Sequence, residues 1–184
     1  DVYKRQDEMC AILVTGASGF IGSFLMEEMK RQNLPVVGVS RSPKPDLLTI
    51  PTYGKAVNWD PLLKDVDTVV HLAARVHVMK DRERNPLQEF RRSNLDATLH
   101  LARAAARNGV RRMVFVSTIK VNGEHTQPGR PFKAEDDPMP NGPYAQSKAE
   151  AEVGLLQIGR ETGLEIVILR PPLVYGPGSK GNWA

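Results

Sequence analysis

Short runs of apolar, largely β-branched residues alternate along the chain with longer stretches in which apolar residues recur every three or four positions. The short runs predict strands, and the longer stretches predict amphipathic helices. The predicted strands lie at residues 11–15, 35–39, 56–58, 68–71, 112–117 and 165–169. The predicted helices lie at residues 20–32, 61–64, 85–107 and 144–162.

This alternation is typical of βαβ units, in which crossover helices join parallel strands. Six such strands with right-handed connections predict an α/β doubly wound parallel sheet of order 3-2-1-4-5-6, with helices on both faces. A length of 184 residues suits one domain with a substantial core. Residues 1–8 show no apolar periodicity, and we expect this leader to lie outside a domain that spans residues 9–184.

The composition is that of an ordinary globular protein, since 41% of the residues are hydrophobic and 25% are charged. The net charge is +4, but Lys and Arg are spread among 21 acidic residues, which argues against a nucleic-acid-binding arm. The single Cys10 cannot form an internal disulfide, and no apolar run approaches the roughly 20 residues of a membrane span. We therefore expect a cytoplasmic protein that binds neither nucleic acid nor membrane.

A glycine-rich turn, TGASGFIG at residues 15–22, joins the first predicted strand to the first predicted helix. Gly16 permits a tight turn, Gly19 lets the backbone approach a pyrophosphate, and Gly22 lets the helix pack closely on the sheet. N–H groups at the start of the helix would face the anion. A turn without a ligand is the alternative, and the spacing Gly-x-x-Gly-x-x-Gly departs from the usual Gly-x-Gly-x-x-Gly. Its place between strand and helix favours a Rossmann-type dinucleotide site.

Tyr144 and Lys148 open a predicted helix, where residues four apart lie on one face. An ammonium near a phenol favours the phenolate, so the pair predicts a lowered phenol pKa and an acid/base group that works near neutral pH. Taken alone, such a pair is more often packing and solvated charge. The Pro- and Gly-rich segment at residues 122–143 is too long for a plain connection, which predicts a binding loop just before Tyr144.

Five motifs, in this order, resemble those of the extended short-chain dehydrogenase/reductases, in particular their nucleotide-sugar epimerase, dehydratase and reductase group. They are TGASGFIG at 15–22, HLAA at 71–74, VST at 116–118, YAQSK at 144–148 and RPPLVYGPG at 170–178. The resemblance implies that Tyr144 is the catalytic acid/base and that Lys148 holds the nicotinamide ribose and lowers the phenol pKa. It also implies that Thr118 hydrogen-bonds the reacting sugar oxygen.

The resemblance further implies a set of cofactor-binding residues. They are Gly16, Ser18, Gly19, Phe20, Ile21, Gly22, Ser40, Arg41, Leu72, Ala73, Ala74, Lys148, Pro171 and Leu173. Many relatives end the second strand with an Asp that binds the adenosine ribose, whereas this strand ends at Ser40 and is followed by Arg41. Because an Arg grips a 2′-phosphate that an Asp would repel, NADP(H) is favoured over NAD(H).

Residues near HLAA and VST resemble a subgroup that reduces 4-keto-6-deoxy-N-acetylhexosamine nucleotides. The candidate substrate-binding residues are Arg75, His77, Ser117, Lys120 and Asn122. We expect no metal site, because no Cys, His or carboxylate residues cluster around His71. The favoured function is 4-keto reduction of a UDP-linked 6-deoxy-N-acetylhexosamine. The alternatives are a UDP-sugar 4-epimerase with tightly bound NAD and, more remotely, a non-catalytic NADP-sensing regulatory protein.

Two features of the relatives extend beyond these motifs. They often dimerise through two helices that match residues 85–107 and 144–162, which implies a homodimer. They also continue with a sizeable substrate-binding region after the RPPLVYGPG motif, whereas six residues follow it here. We therefore expect this chain to be a fragment of a longer protein.

Overall fold

The computed structural model describes residues 11–50, 57–76 and 85–179. Six strands form one sheet, with bounds β1 (Ala11–Thr15), β2 (Val36–Ser40), β3 (Leu47–Thr49), β4 (Val66–His71), β5 (Arg112–Val116) and β6 (Glu165–Leu169). Their order across the sheet is β3-β2-β1-β4-β5-β6, and all neighbours run parallel. The predicted α/β doubly wound sheet and its strand order are confirmed.

The helices are α1 (Phe20–Arg31), α2 (Asp60–Leu63), α3 (Pro86–Phe90), α4 (Ala97–Arg107) and α5 (Gly142–Thr162). A π-helical turn at Arg91–Asp96 joins α3 to α4, so a continuous helical stretch runs where one helix was predicted. A short 3₁₀ helix at Ile119–Val121 follows β5. Helix α5 ends before Gly163, whose φ of 81° is the left-handed conformation that commonly closes a helix.

Both faces of the sheet are covered by helices. On one face, Leu13 of β1, Val69 of β4 and Met113 of β5 are fully buried in a cluster with Leu101 of α4 and Leu155 of α5. Burying each such side chain contributes about 1.5–3 kcal/mol. A smaller cluster on the other face joins Val14, Ala17 and Met26 under α1. Because both faces of the central strands are buried under helices, most residues of these strands are apolar.

The predicted strand at residues 56–58 is wrong in its described part, because Val57 and Asn58 lie outside any strand. Val57 instead packs into the core cluster. The strand next to β2 at this edge of the sheet is β3, Leu47–Thr49, which pairs with β2 through only three residues. A strand that short, exposed at the sheet edge, carries too little alternation to be found by periodicity.

The leader at residues 1–8 and Cys10 lie outside the described residues. In the part of the chain that the structure does describe, no helix has the length and apolar character needed to cross a membrane.

Candidate active site

The glycine-rich turn packs directly against the segment that follows β4. Gly16 has a φ of +70°, and a Cβ atom there would lie 2.7 Å from the backbone nitrogen of Ala73. A Cβ atom on Gly22 would lie 2.2 Å from the backbone oxygen of Gly16. No side chain fits at either position without movement of the backbone. The turn therefore packs tightly between α1 and the HLAA segment. The glycine spacing predicted this close approach of the helix to the sheet.

Helix α1 begins immediately after this turn and presents an uncapped start. Its N-cap, Gly19, supplies no side-chain cap, and the first turn contains no acidic residue. The N–H groups at such a helix start carry partial positive charge. Together with the missing Cβ atoms at Gly16 and Gly22, this arrangement fits the pyrophosphate of a dinucleotide cofactor. Ser18 and Ile21 are exposed beside it.

The RPPLVYGPG segment lies beside both the glycine-rich turn and the end of β5. A Cβ atom on Gly176 would lie 3.5 Å from the Phe20 ring at the start of α1. The backbone N–H of Ile119 donates to the carbonyl of Pro171 at 3.0 Å. Leu173, a predicted cofactor contact, is 70% exposed. The fold thus gathers the distant motifs at the carboxyl edge of the sheet, where ligands of doubly wound sheets bind.

Lys148 is buried in α5 and points at the end of β5. Its Nζ donates to the carbonyl of Val116 at 2.7 Å and lies 3.9 Å from the centre of the Phe115 ring. Burial lowers the pKa of Lys148 to about 7, and the nearby carboxylate of Glu152 opposes that shift. A lysine in this setting changes its charge within the neutral pH range.

Tyr144 is half-buried one turn before Lys148. Its ring packs edge-on against the Phe90 ring, with 6.1 Å between the two ring centres. Burial raises the pKa of the Tyr144 phenol. The prediction of a lowered phenol pKa is wrong for the structure, because burial raises it. The ammonium of Lys148 is bonded instead to the carbonyl of Val116. The phenol is therefore protonated at neutral pH and able to donate a proton.

Thr118 follows β5 by two residues and caps the short 3₁₀ helix. Its hydroxyl oxygen accepts the N–H of Lys120 at 3.3 Å, which leaves its own O–H group to donate elsewhere. The neighbouring Ser117 is 4% exposed, and its hydroxyl has no hydrogen-bond partner within the described parts of the chain. Two hydroxyl groups thus stand at the end of β5, next to the carbonyl that binds Lys148.

Asn94, in the π-helical turn, was not singled out from the sequence. Its buried amide accepts the backbone N–H of Arg75 at 2.8 Å and donates to the backbone oxygen of Arg75 at 3.0 Å. It also donates to the hydroxyl of Ser147 at 3.1 Å, and Ser147 donates to the carbonyl of Tyr144 at 2.8 Å. Asn94 therefore ties the segment after β4 to the first turns of α5.

The other predicted substrate contacts differ in their surroundings. The guanidinium of Arg75 lies 5.6 Å from the centre of the Phe90 ring, the same ring that Tyr144 meets. Asn122 is 4% exposed, and its amide bonds the carbonyl of Lys133 and the guanidinium of Arg170. His77 lies outside the described residues.

His71 is a fully buried imidazole between two threonines. The hydroxyl of Thr98 donates to the carbonyl of Asn94 at 2.7 Å, so it accepts from Nε2–H of His71 at 2.9 Å. Nδ1 then accepts the hydroxyl of Thr15 at 2.6 Å. This neutral tautomer uses both ring nitrogens to connect β1, β4 and α4. No group of three metal-binding side chains occurs anywhere in residues 11–50, 57–76 or 85–179.

Burial first, and the charge of Lys148 second, lower the pKa of His71 from 6.5 to about 3. Because the folded pKa lies below the unfolded value, the stabilisation is complete above pH 6.5 and is lost as the pH falls towards 3. We expect the free energy of unfolding to fall by about 1.4 kcal/mol per pH unit in that window from this group alone. His71→Gln should remove that part of the slope in urea unfolding curves, whereas His125→Gln, at an exposed position, should retain it.

A slope for His71→Gln as steep as that of the unaltered protein would contradict the neutral buried imidazole.

A family model, curated sequences and solved structures all relate the chain to the same family. A model of the NAD dependent epimerase/dehydratase family matches residues 12–183. The chain is 40% identical over 179 residues to a UDP-glucose 4-epimerase of Vibrio cholerae, covering 95% of this chain and 55% of that protein. It is 31% identical over 173 residues to a GDP-6-deoxy-D-mannose reductase of Pseudomonas aeruginosa, covering 94% of this chain and 55% of that protein.

Among solved structures, MoeE5 in complex with UDP-glucose and NAD matches with a TM-score of 0.78 and 35% identity, covering 92% of this chain and 56% of that chain. The chain thus spans about half the length of the curated relatives it matches. With a family model that extends over nearly the whole sequence, the chain belongs to the NAD dependent epimerase/dehydratase family, as its five motifs predicted.

Proposed function

We propose that the whole protein uses a nicotinamide cofactor to act at C4 of a UDP-linked sugar, and that it interconverts the two C4 epimers. The observation that carries the proposal is the contact of Lys148, one turn after Tyr144, with the carbonyl of Val116, two residues before Thr118, at the sheet edge that also holds the glycine-rich turn. The similarity to a UDP-glucose 4-epimerase supports this choice over the reductase favoured from the sequence.

Each side chain has a distinct part in the proposed reaction. A bound nicotinamide would supply the hydride chemistry at C4. Tyr144 acts first as the phenolate, which is the minor form at neutral pH because burial raises the pKa of the phenol. The phenolate removes the proton of the sugar 4-hydroxyl, and the phenol so formed later returns it to the 4-oxygen. Lys148, held on the carbonyl of Val116, places its positive charge where it stabilises the phenolate. The O–H group of Thr118 donates to the sugar oxygen and orients it towards Tyr144.

A 4-keto reductase is the second candidate, and the end of β2 favours it. Ser40 is 1% exposed, and its hydroxyl donates to the carbonyl of Ser42, while Arg41 is exposed. A cleft of about 460 Å³ beside this strand end is lined in part by Ser18, Lys30 and Lys44. No acid closes β2, so Arg41 and Lys44 would offer positive charge to the 2′-phosphate of NADPH. Glu27 also lines the cleft, and Lys30 pairs with Asp46 at 3.1 Å. A preference for NADPH over NADH fits a reductase, which consumes NADPH as its hydride donor.

One experiment separates the two functions. The whole protein is incubated with UDP-glucose or UDP-N-acetylglucosamine, and separately with a UDP-4-keto-6-deoxy sugar and NADPH, while sugar products and cofactor absorbance are followed. The epimerase predicts a 4-epimer of the first substrates with no net cofactor consumption. Stoichiometric oxidation of NADPH by the keto sugar, with no epimer formed, overturns it in favour of the reductase. Turnover of neither substrate class removes both proposals.

The cofactor preference has its own test. Arg41→Asp should shift the preference of the protein from NADPH towards NADH, because it replaces a charge that attracts the 2′-phosphate with one that repels it. Loss of one charged hydrogen bond corresponds to about 1.5–3 kcal/mol, or about 10- to 100-fold in the ratio of the two dissociation constants. Arg31→Asp, at the far end of α1, is the control for net charge, and it also breaks the exposed ion pair of Arg31 with Glu28.

The dissociation constants of both cofactors are measured by fluorescence titration. A ratio that stays the same in Arg41→Asp would show that this side chain does not contact the cofactor.

We also propose that the protein forms a homodimer through the helices at residues 85–107 and 144–162. Val153 and Leu156 of α5 are 61% and 44% exposed, which is costly for apolar side chains unless another surface covers them. Light scattering of the whole protein and of a Val153→Arg variant tests this. Equal masses for the two proteins, both monomeric, would overturn it.

A further inference from the structure

We propose that Glu152 and Arg170 act as a positioning pair that sets the charge of Lys148 and anchors the loop at residues 122–143 beside the site. The inference deepens the proposed function, since it rests on Lys148 being the residue that holds the cofactor and supports Tyr144. Neither Glu152 nor Arg170 touches the reacting atoms in that scheme.

The pair is buried and closely bonded. Glu152 is 3% exposed on α5, and the side chain of Arg170, just after β6, is 18% exposed. Nη2 of Arg170 donates to Oε2 of Glu152 at 2.6 Å, and Nε donates to both carboxylate oxygens at 3.1 Å. A desolvated carboxylate needs such a partner, because an unpaired buried charge is strongly destabilising.

The remaining nitrogen of Arg170 connects this pair to the loop. Nη1 donates to Oδ1 of Asn122 at 3.2 Å and to the carbonyl of Ala134 at 3.3 Å. The amide nitrogen of Asn122 donates in turn to the carbonyl of Lys133 at 3.0 Å. One guanidinium therefore holds α5, the chain beyond β6 and both sides of the loop together. The predicted binding loop before Tyr144 is therefore held by Arg170 at Asn122 and Ala134.

Glu152 also stands one helical turn after Lys148, on the same face of α5. Titratable and charged groups of three elements lie around Lys148 in the described structure. Tyr144 and Glu152 are one turn away on α5, His71 on β4 senses its charge, and Arg170 beyond β6 binds Glu152. His71 is neutral and Tyr144 is protonated at neutral pH, since burial lowers the pKa of the first and raises that of the second.

The charge of Lys148 therefore depends on the balance between Glu152 and Arg170. Glu152 raises the pKa of Lys148 against the effect of burial. Arg170 offsets part of the negative charge on Glu152, since it binds that carboxylate directly. Removing the charge of Glu152 should therefore lower the pKa of Lys148. Removing Arg170 should raise it, because the full negative charge of Glu152 then acts on Lys148.

The test compares Glu152→Gln and Arg170→Met in the whole protein. The measurements are the alkaline limb of kcat and the pH dependence of NADH and NADPH affinity by cofactor fluorescence. We expect Glu152→Gln to move both profiles to lower pH by about one unit and Arg170→Met to move them to higher pH, as a single charge several ångströms away would do. Glu150→Gln is the matched control, because it breaks the ion pair of α5 with Arg91 and should leave both profiles in place.

Shifts in the same direction for both variants, or a uniform loss of activity with unmoved profiles, would overturn the proposal and leave the pair a structural ion pair. If Arg170→Met or Glu152→Gln fails to fold, Arg170→Lys decides, because it keeps the charge and loses the fork of hydrogen bonds. The profiles should then stay in place while limited proteolysis within residues 122–143 becomes faster. A moved profile or an unchanged cleavage rate for Arg170→Lys overturns the proposal.

The cofactor titrations keep this inference separate from the proposed function. A whole protein without activity at C4 would refute the function, but its cofactor affinity would still report the charge of Lys148.

Discussion

Tyr144→Phe is expected to lower kcat of the whole protein by about 10²- to 10⁴-fold, the range lost when a general acid/base is removed. The substitution deletes only the hydroxyl group, and the ring keeps its edge contact with Phe90. Cofactor affinity and thermal stability should therefore stay close to those of the unaltered protein. Steady-state turnover of the UDP-sugar, cofactor titration and thermal melting, measured on the same preparation, check these three expectations.

Thr118→Val is the informative companion to this variant. It removes the donor O–H group at the end of β5 and leaves Tyr144 and Lys148 in place, so we expect a smaller loss of kcat, of about 10- to 100-fold for one hydrogen bond. Turnover by Tyr144→Phe within a few-fold of the unaltered protein would remove the proton-transfer role. A loss of cofactor binding in step with turnover would instead indicate a damaged fold.

The sheet order and the convergence of the motifs could be predicted because both depend on local patterns. Apolar runs identify the strands of the sheet centre, and parallel strands connected by helices bring all their carboxyl ends to one edge. The positions of Gly16, Thr118 and Tyr144 at that edge follow from the strand or helix that each one adjoins. The glycine-rich turn is similarly local, since its conformation depends on residues that can adopt a positive φ or allow close backbone approach.

Features that depend on tertiary distances were missed or misjudged. The role of Asn94 arises from a π-helical turn, which the periodicity of residues 85–107 does not reveal. The phenol pKa of Tyr144 depends on burial, and spacing along a helix does not report burial. The ion pair of Glu152 and Arg170 joins residues 18 positions apart on different elements. Asn122, predicted as a sugar contact, is engaged in the same network.

Gly22→Ala is expected to weaken cofactor binding through the backbone alone. The added Cβ would lie 2.2 Å from the oxygen of Gly16 and 2.8 Å from Cα of Ala17, and neither backbone atom can rotate away. Helix α1 must therefore move from the glycine-rich turn, and overpacking of this kind costs about 1–3 kcal/mol of stability.

Because the start of α1 and the turn together form the proposed pyrophosphate site, that displacement should reduce the affinity for NADH and NADPH by about 10-fold or more, comparable to the cost of losing one charged hydrogen bond. Gln32→Ala, at the far end of α1, is the matched control, since its exposed amide donates to the carboxylate of Glu28 and its loss should change stability by less than about 0.5 kcal/mol. Fluorescence titration and urea unfolding of both variants provide the measurements. Equal cofactor affinity in Gly22→Ala and Gln32→Ala would mean that the cofactor does not bind against this turn.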